Sequence, residues 1–291
     1  MYTKAQPLFF RTETPMHVGS GSDLGHIDLP IQREKHTDFP MVQSSSLKGA
    51  LREHLEQNVK STADRIGVHL TFGYDKDGIK DKGVEKFFEG QENQDFSGAL
   101  AFTDARLLLF PVKSYKGIFA LVTCPSVIKK FSRELKFVCK TEVGFPNADL
   151  SKLGDKIALA DSEFLKISNQ VILDEYAFEI DSELSATTQG IAEKLSELTG
   201  QSDIKKRLAI LPDDVFRDFT KLSTEVVTRT KIQNDTGTVQ SGALFTEEYL
   251  PAESYMYSIV AAHRIFQKRN EKREDIIHHL LLQELDEYLK G

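Results

Sequence analysis

The sequence lacks tryptophan, has only two cysteines and contains no run of about 18 apolar residues, the length that a membrane-spanning helix needs. Cys124 and Cys139 cannot form a disulfide framework, and neither has the C-x-x-C spacing of a zinc ligand. The first residues, MYTKAQPLFFRTETP, lack the apolar core of a signal peptide. We therefore expect a cytoplasmic protein with no membrane partner, in which 19 Phe and 8 Tyr supply the aromatic packing.

The chain also lacks an excess of positive charge and the glycine motifs of nucleotide-binding enzymes. Its net charge of −7 repels nucleic acid overall, so binding of RNA would require a local basic patch. Neither G-x-G-x-x-G nor G-x-x-x-x-G-K-[ST] occurs, and the D-x-D at 75–77 is followed by Ile79 and Lys86 where a calcium loop needs ligands. These absences argue against dinucleotide-binding, P-loop and EF-hand proteins, and no cofactor motif supports a stand-alone metabolic enzyme.

The 291 residues, 40% hydrophobic and 28% charged, are sufficient for a large core, and no Pro/Gly/Ser-rich linker divides them. Leucines at 47, 51 and 55 recur every fourth residue and predict a helix that the preceding serines can cap. Strands are predicted over 7–18, within 98–124 around a turn at 114–117, within 164–180, and as a hairpin over 223–250 around Asn234-Asp235-Thr236-Gly237. Helices are predicted over 44–60, within 184–222 and over 273–289. The polar segment 74–97 is predicted to be an exposed loop. This mixed order predicts an α+β fold, and a ferredoxin-like arrangement fits it.

A glycine-rich segment, GSGSDLG at 19–25, could bring backbone N–H groups of Gly19, Ser20 and Gly21 close to a phosphate. Its third glycine falls one residue too late for a dinucleotide-binding motif. The alternative is a plain surface loop.

A second candidate for phosphate binding is SSSLKG at 44–49. The N-terminus of a helix offers unpaired N–H groups and the positive end of the dipole, to which Ser45, Ser46, Lys48 and Arg52 add polar and cationic side chains. The alternative is an N-cap followed by a solvated lysine. Ser45 and Lys48 also spell the S-x-x-K of serine β-lactamases, but the SDN and KTG partners of that family are absent.

A loop bounded by Pro30 and Pro40 concentrates titratable side chains, namely His26, Asp28, Arg33, Glu34, His36 and Asp38. An aspartate there could bind a divalent cation or help to take a proton from a ribose hydroxyl. The alternative is a surface turn held by ion pairs. His278 and His279 are adjacent on a predicted helix, so their side chains diverge and cannot share a metal in the usual i, i+4 manner.

Four separated blocks, in the same order, resemble the RAMP-superfamily backbone subunits of type III-B CRISPR (Cmr) effector complexes. The blocks are TPMHVGSGSDLGHIDLPIQREKHTDFP with SSSLKGALR, DARLLLFPVKSYKGIFALVTCP, LDEYAF, and STEVVTRTKIQNDTGTVQSGALFTEEYLP, within residues 7 to 257. The resemblance implies a single domain over 1–291. It would have a ferredoxin-like palm similar to an RNA-recognition motif, helical insertions at about 60–97 and 181–222, and a β-hairpin thumb at about 224–250.

The resemblance also implies a function. Copies of such a subunit stack along the CRISPR guide RNA with other subunits of the complex, and complementary target RNA is cleaved at six-nucleotide intervals. The cleavage depends on a divalent metal ion, Mg²⁺ or Mn²⁺, and uses the 2′-hydroxyl of the target itself. The alternative is a scaffold subunit that binds guide RNA without catalysis, as related backbone subunits do.

The resemblance assigns roles to particular residues. Asp28, in Ile27-Asp28-Leu29-Pro30, would be the catalytic aspartate and would hold the metal or orient the hydroxyl. His17, Glu247 and Tyr249 would support it. The residues expected to contact RNA are Gly19, Ser20, Gly21, Arg33, Ser45, Ser46, Lys48, Arg52 and Arg229, and with Lys231 we expect the basic ones to concentrate on one face. Family members commonly continue into a glycine-rich segment, whereas this sequence stops at Tyr288-Leu289-Lys290-Gly291, which we expect to be a truncated end.

Overall fold

The computed structural model describes residues 4–22, 25–74, 82–88, 96–140, 142, 144–146 and 150–263. The chain forms two compact units: the first comprises 1–8, 43–104 and 258–291, and the second comprises 9–42 and 105–257. The predicted helix over 273–289 lies outside the described residues. The assignment of residues 1–291 to a single domain stays a prediction.

Helices and strands are interspersed along the chain, as expected for a mixed fold. The helices are α1 Ser44–Asn58, α2 Thr62–Phe72, α3 Lys82–Phe88, α4 Pro125–Glu134, α5 Ser162–Leu165, α6 Ser185–Thr199, α7 Ile204–Arg207 and α8 Asp213–Leu222. The strands are β1 Lys4–Arg11, β2 Met41–Val42, β3 Gly73–Tyr74, β4 Phe96–Ser97, β5 Leu100–Phe102, β6 Ala105–Lys113, β7 Phe119–Thr123, β8 Ala158–Leu159, β9 Gln170–Leu173, β10 Tyr176–Glu179, β11 Leu208–Ile210, β12 Glu225–Ile232, β13 Val239–Tyr249 and β14 Tyr255–Ala262. A π-helical turn, Leu135–Cys139, and a 3-10 turn, Leu150–Leu153, complete the set.

The first unit packs helices α1 to α3 beside short strands. Its small core joins Leu70 of α2 to Val84 and Phe88 of α3. The prediction of an exposed loop over 74–97 is therefore wrong for residues 82–88. Polar residues dominate that segment, so its composition does not indicate the two apolar residues, Val84 and Phe88, that α3 buries four positions apart.

The second unit is built on a mixed sheet. Strands β6 and β7 are antiparallel, with Phe110 opposite Val122, and β11 lies parallel to β7. Strand β8 pairs with β11, while β2 and the beginning of β14 pair with β6. The side chains of Leu108 and Leu121 are completely buried. The predicted strand pair within 98–124 and its central place in a sheet are confirmed.

Several elements of the second unit were not predicted, among them β11 and α4. Strand β11 has only three residues, Leu208-Ala209-Ile210, and lies inside the stretch 184–222 that was expected to be helical throughout. So short an apolar run cannot be told from a helix segment by periodicity. Helix α4 begins with Pro125 in its first turn, follows β7 directly, and buries Val127, Ile128 and Phe131.

The predicted hairpin over 223–250 is confirmed as the antiparallel pair β12 and β13. Glu225 lies opposite Tyr249, and the register continues to Thr230 opposite Leu244, after which it shifts. Every residue of β12 is exposed. The strands are thus held by each other and by the contacts at the base of the hairpin described below.

The remaining local predictions differ from the structure mainly at element ends. The helix predicted over 44–60 is confirmed as α1, and the strands within 164–180 are confirmed as the hairpin β9–β10. The first strand is Lys4–Arg11 and not 7–18, because Glu13 and Thr14, just before Pro15, form bends. None of the helices in the described ranges is long and apolar enough to cross a membrane.

Candidate functional site

In the second unit, the loop that carries Asp28 lies along strand β13. Leu29 N donates to Thr246 O at 3.0 Å, and Glu248 N donates to Leu29 O at 3.0 Å. Asp28 Oδ2 accepts hydrogen bonds from Thr246 N at 2.8 Å and from Thr246 Oγ1 at 3.0 Å. The loop therefore adds to the edge of the hairpin, and Thr246 fixes the Asp28 carboxylate.

The environment of Asp28 keeps its side chain charged. The backbone N–H of Thr246 and then its hydroxyl lower the pKa of the Asp28 carboxyl below its ordinary value, because hydrogen bonds to the ionised form stabilise that form. The residue is exposed. Asp28 thus presents an ionised carboxylate to the surface, and its low pKa makes it a weak base.

Three further polar side chains meet on the hairpin. Tyr249 Oη donates to Glu247 Oε2 at 2.5 Å, while Arg229 donates from Nε to Glu247 Oε2 at 2.9 Å and from Nη2 to Tyr249 Oη at 2.6 Å. The hydrogen bond from Tyr249, followed by that from Arg229, lowers the pKa of the Glu247 carboxyl. The predicted supporting residues Glu247 and Tyr249 and the predicted RNA contact Arg229 therefore form one cluster.

His17 is held beside this cluster by the strand. Its Nδ1 lies 2.7 Å from Glu248 O, and its ring centroid is 5.5 Å from that of Tyr249. Since a carbonyl oxygen only accepts, Nδ1 carries the proton, and Nε2 of the neutral ring is an acceptor. A Cβ on Gly19 would lie 2.8 Å from His17 Nε2, so glycine at 19 leaves space for the imidazole.

A buried ion pair lies on the other face of the same strand. Glu248 is 3% exposed and accepts from Arg33 Nη2 at 2.5 Å, from Ile31 N at 3.0 Å and from Thr224 Oγ1 at 2.8 Å. Arg33 Nη1 donates to Asp38 O at 2.8 Å and to Thr220 O at 3.0 Å. Both terminal nitrogens of Arg33 are engaged within the protein, so a contact with guide RNA, which stays a prediction, would have to compete with these hydrogen bonds.

Sequence reasoning missed Thr246 and Glu248, the two residues that position this site. Alternation along β13 puts 246 and 248 on one face and 247 and 249 on the other. The available indication in the sequence was that an acidic residue, Glu248, directly follows the catalytic candidate Glu247 and therefore lies on the opposite face of the strand. Its burial became evident only from its partners in the structure, Arg33 and Ile31, which lie 215 and 217 residues away in the chain.

The glycine-rich loop is hydrogen-bonded to the Asp28 loop. Ser20 donates to Pro30 O from its backbone N at 3.0 Å and from Oγ at 3.1 Å, and Gly19 forms a bridge with Ile31. Gly19, Ser20 and Gly21 are exposed. The backbone N–H of Ser20 is therefore already used, which weakens the prediction that it binds a phosphate.

The predicted phosphate site at α1 belongs to the first unit. The N-cap of α1 is Gln43, without a side-chain cap, and the serines lie in the first turn; this corrects the prediction that the serines cap the helix. Ser44 N donates to Asp104 Oδ1 at 2.8 Å, so a carboxylate of the protein already occupies part of the helix terminus. Ser45 and Ser46 are exposed.

The two cations of α1 have partners within the first unit. Lys48 Nζ donates to Leu100 O at 2.9 Å, and burial, with Arg52 nearby, lowers its pKa. Arg52 Nε donates to Glu56 Oε1 at 2.7 Å. Both side chains are half-buried, so any phosphate would have to compete with these contacts.

A divalent cation was predicted at Asp28. Among the residues that the structure describes, no group of three His, Cys, Asp or Glu side chains could hold a metal ion. Mg²⁺ commonly binds one or two carboxylates and takes its other ligands from phosphates and water. The single exposed carboxylate of Asp28 fits a cation shared with a phosphate group and does not fit a closed site made of protein ligands alone.

Comparison with known proteins identifies the class of protein that has this fold and these residues. The RAMP superfamily matches residues 9–290, and the chain belongs to that superfamily. It is 38% identical over 262 residues to the CRISPR system Cmr endoribonuclease Cmr4 of Pyrococcus furiosus, a match that covers 88% of this chain and 81% of that protein. The family predicted from the sequence is confirmed.

Solved structures agree with this assignment. The crystal structure of oligomeric Cmr4 from Pyrococcus furiosus has a TM-score of 0.66 and 29% identity, covering 96% of this chain and 89% of that chain. A chain in the cryo-EM structure of the type III-B Cmr-beta complex bound to cognate target RNA has the same fold, with a TM-score of 0.65, 23% identity and coverage of 94% and 87%.

Proposed function

We propose that the protein is the guide-RNA-binding backbone subunit of a cytoplasmic type III-B CRISPR complex and that it cleaves the complementary target RNA. One observation carries the proposal: Asp28 is exposed, ionised and fixed by Thr246 at the base of the hairpin. The 38% identical relative, an endoribonuclease by name, supports the same activity. The subunit would work in the assembled complex with copies of itself and other Cmr subunits.

The proposed reaction uses the ribose of the target. The 2′-oxygen attacks the adjacent phosphorus, the bond from phosphorus to the 5′-oxygen breaks, and the products are a 2′,3′-cyclic phosphate and a 5′-hydroxyl. The 2′-hydroxyl loses a proton and the 5′-oxygen gains one, so no net proton is consumed. The protein must therefore orient the hydroxyl and stabilise the charge that develops at phosphorus.

The lowered pKa of Asp28 favours roles in which its carboxylate stays ionised. A group that takes a proton works best with a pKa near the working pH, whereas a carboxylate with a lowered pKa remains charged and accepts hydrogen bonds. Asp28 would therefore orient the 2′-hydroxyl or share a divalent cation, Mg²⁺ or Mn²⁺, with an RNA phosphate. Such a cation would supply charge stabilisation when bound.

His17, Glu247 and Tyr249 would support Asp28. A neutral His17 ring would offer an accepting Nε2, and Arg229 offers a cation that Glu247 and Tyr249 hold in place. The guide backbone would be bound by the loop at 19–21 and, in the first unit, by Ser45, Ser46, Lys48 and Arg52. The antiparallel pair β6–β7 followed by α4 supports a ferredoxin-like palm, and β12–β13 would be its thumb.

The test is target cleavage by complexes that are assembled with Asp28→Asn. We expect this variant to lose the ladder of products at six-nucleotide spacing and to retain the guide RNA, because the amide keeps the size of the side chain and removes its charge. Asp155→Asn changes an exposed acid of the same unit and serves as the matched control. Cleavage by the Asp28 variant at the control rate would contradict the assignment, and guide binding without cleavage by the unaltered protein would favour the scaffold.

A further inference from the structure

The second unit contains a basic cavity of about 340 Å³ that none of the roles above uses. It is lined by Glu34, His36, Arg106, Lys129, Lys130 and Arg133, together with apolar residues of the sheet and of α4. We refer to it as the basic cavity. Its position on β6, α4 and the segment after the Asp28 loop makes it part of the rigid framework of this unit.

One buried carboxylate orders part of the cavity wall. Glu34, 9% exposed, accepts from Lys130 Nζ at 2.9 Å, from Arg106 Nε at 3.1 Å and from Thr37 Oγ1 at 2.8 Å. Arg106 also pairs with Glu134 at 3.4 Å. Lys130 and Arg106 are thereby held in fixed positions, which reduces the entropy that an incoming ligand would have to remove.

The charge in the cavity is not balanced. Four cationic side chains, counting Lys129 and Arg133, face the two carboxylates Glu34 and Glu134, so two positive charges remain in excess. This excess occurs in a chain whose net charge is −7. Apolar walls next to such charges concentrate their field and attract an anion.

Lys129 and Arg133, both exposed, are the two cations of the basic cavity that have no partner among the described residues. Within the part of the chain that the structure describes, neither side chain takes part in a hydrogen bond or an ion pair. They are four residues apart on α4, at a spacing where like charges repel. An anion between them would relieve that repulsion, and the planar guanidinium of Arg133 suits the paired oxygens of a phosphate.

We propose that the basic cavity binds a phosphate group of an RNA backbone through Lys129 and Arg133, with Arg106 and Lys130 completing the positive wall. Four cationic side chains line the cavity, whereas the pockets that hold small molecules are largely apolar with few polar groups. The inference rests on the proposed function only in naming RNA as the source of the phosphate. The basic cavity would give the second unit a further contact with RNA, whereas Arg33 of the same unit is paired with Glu248.

The experiment is the salt dependence of the affinity for a synthetic single-stranded RNA, with the double variant Lys129→Gln/Arg133→Gln. Loss of two phosphate contacts should reduce the slope of log K against log salt by about 1.4 and weaken binding at low salt roughly tenfold or more. Glutamine is a good helix former, so α4 should be retained, and thermal unfolding checks this. Lys205→Gln/Lys206→Gln, on α7 of the same unit, removes the same charge from equally exposed positions that do not line the cavity, and it should leave the slope unchanged.

The outcomes separate this inference from the proposed function. A double variant with the slope and affinity of the control pair would overturn the cavity as an RNA site, even while assembled complexes still cleave target RNA. If the double variant has a reduced slope and complexes of the unaltered protein never cleave target RNA, the cavity assignment stands and the catalytic assignment is rejected.

Discussion

Removal of the Glu248 carboxylate should destabilise the second unit far more than removal of its neighbour Glu247. Glu248 is 3% exposed, its partner Arg33 is 18% exposed, and the carboxylate also satisfies Ile31 N and Thr224 Oγ1. Removing one partner of a buried ion pair costs about 3–5 kcal/mol, since the other charge stays buried without compensation. In a protein of this size that corresponds to a fall in Tm of roughly 10 °C.

The assay is thermal unfolding of Glu248→Ala against Glu247→Ala. Both substitutions remove one glutamate from the same strand, but Arg229, the partner of Glu247, is 51% exposed and can be solvated again. We expect the Tm of Glu247→Ala to stay close to that of the unaltered protein. Equal Tm values for the two variants would refute the reasoning.

A double variant tests the cause of the loss. Replacing Arg33 by Met together with Glu248 by Leu removes both charges, and we expect it to recover most of the stability that Glu248→Ala loses. If Glu248→Ala is destabilised and the double variant is no better, the loss comes from the hydrogen bonds that the pair makes to Ile31, Thr224, Asp38 and Thr220 and not from the unpaired charge of Arg33.

Three further outcomes are expected. Thr246→Val should raise the pKa of Asp28 toward its ordinary value, so an NMR titration of its carboxyl carbon should show protonation beginning at higher pH, whereas Thr246→Ser should titrate like the unaltered protein. Gly98→Ala should lower the Tm by overpacking, since a Cβ there would lie 2.2 Å from a backbone oxygen of α2, and normal stability would contradict the close contact. Cys139 should react with a thiol reagent before Cys124, because burial raises both thiol pKa values but Cys124 is fully buried; equal rates in the folded protein would disprove this.

Much of the local structure follows from the sequence alone. The four-residue recurrence of leucines gave α1, the apolar runs flanking a turn gave β6 and β7, and the Asn-Asp-Thr-Gly turn gave the hairpin β12–β13. These patterns are local, and neighbouring residues suffice to produce them. The order of the blocks also predicted the family, which the match over 9–290 confirms.

Other features depend on residues that are distant in the chain. Asp28 is fixed and kept ionised by Thr246, 218 residues away, and Glu248 binds Arg33 at a separation of 215 residues. The sequence marked Arg33 as a basic residue of a loop, but only folding decided that it is buried against a carboxylate. Likewise, three apolar residues became strand β11 because β7 lay beside them to pair with. Periodicity records which side of an element is apolar, while hydrogen-bond partners and burial are decided only when distant segments meet.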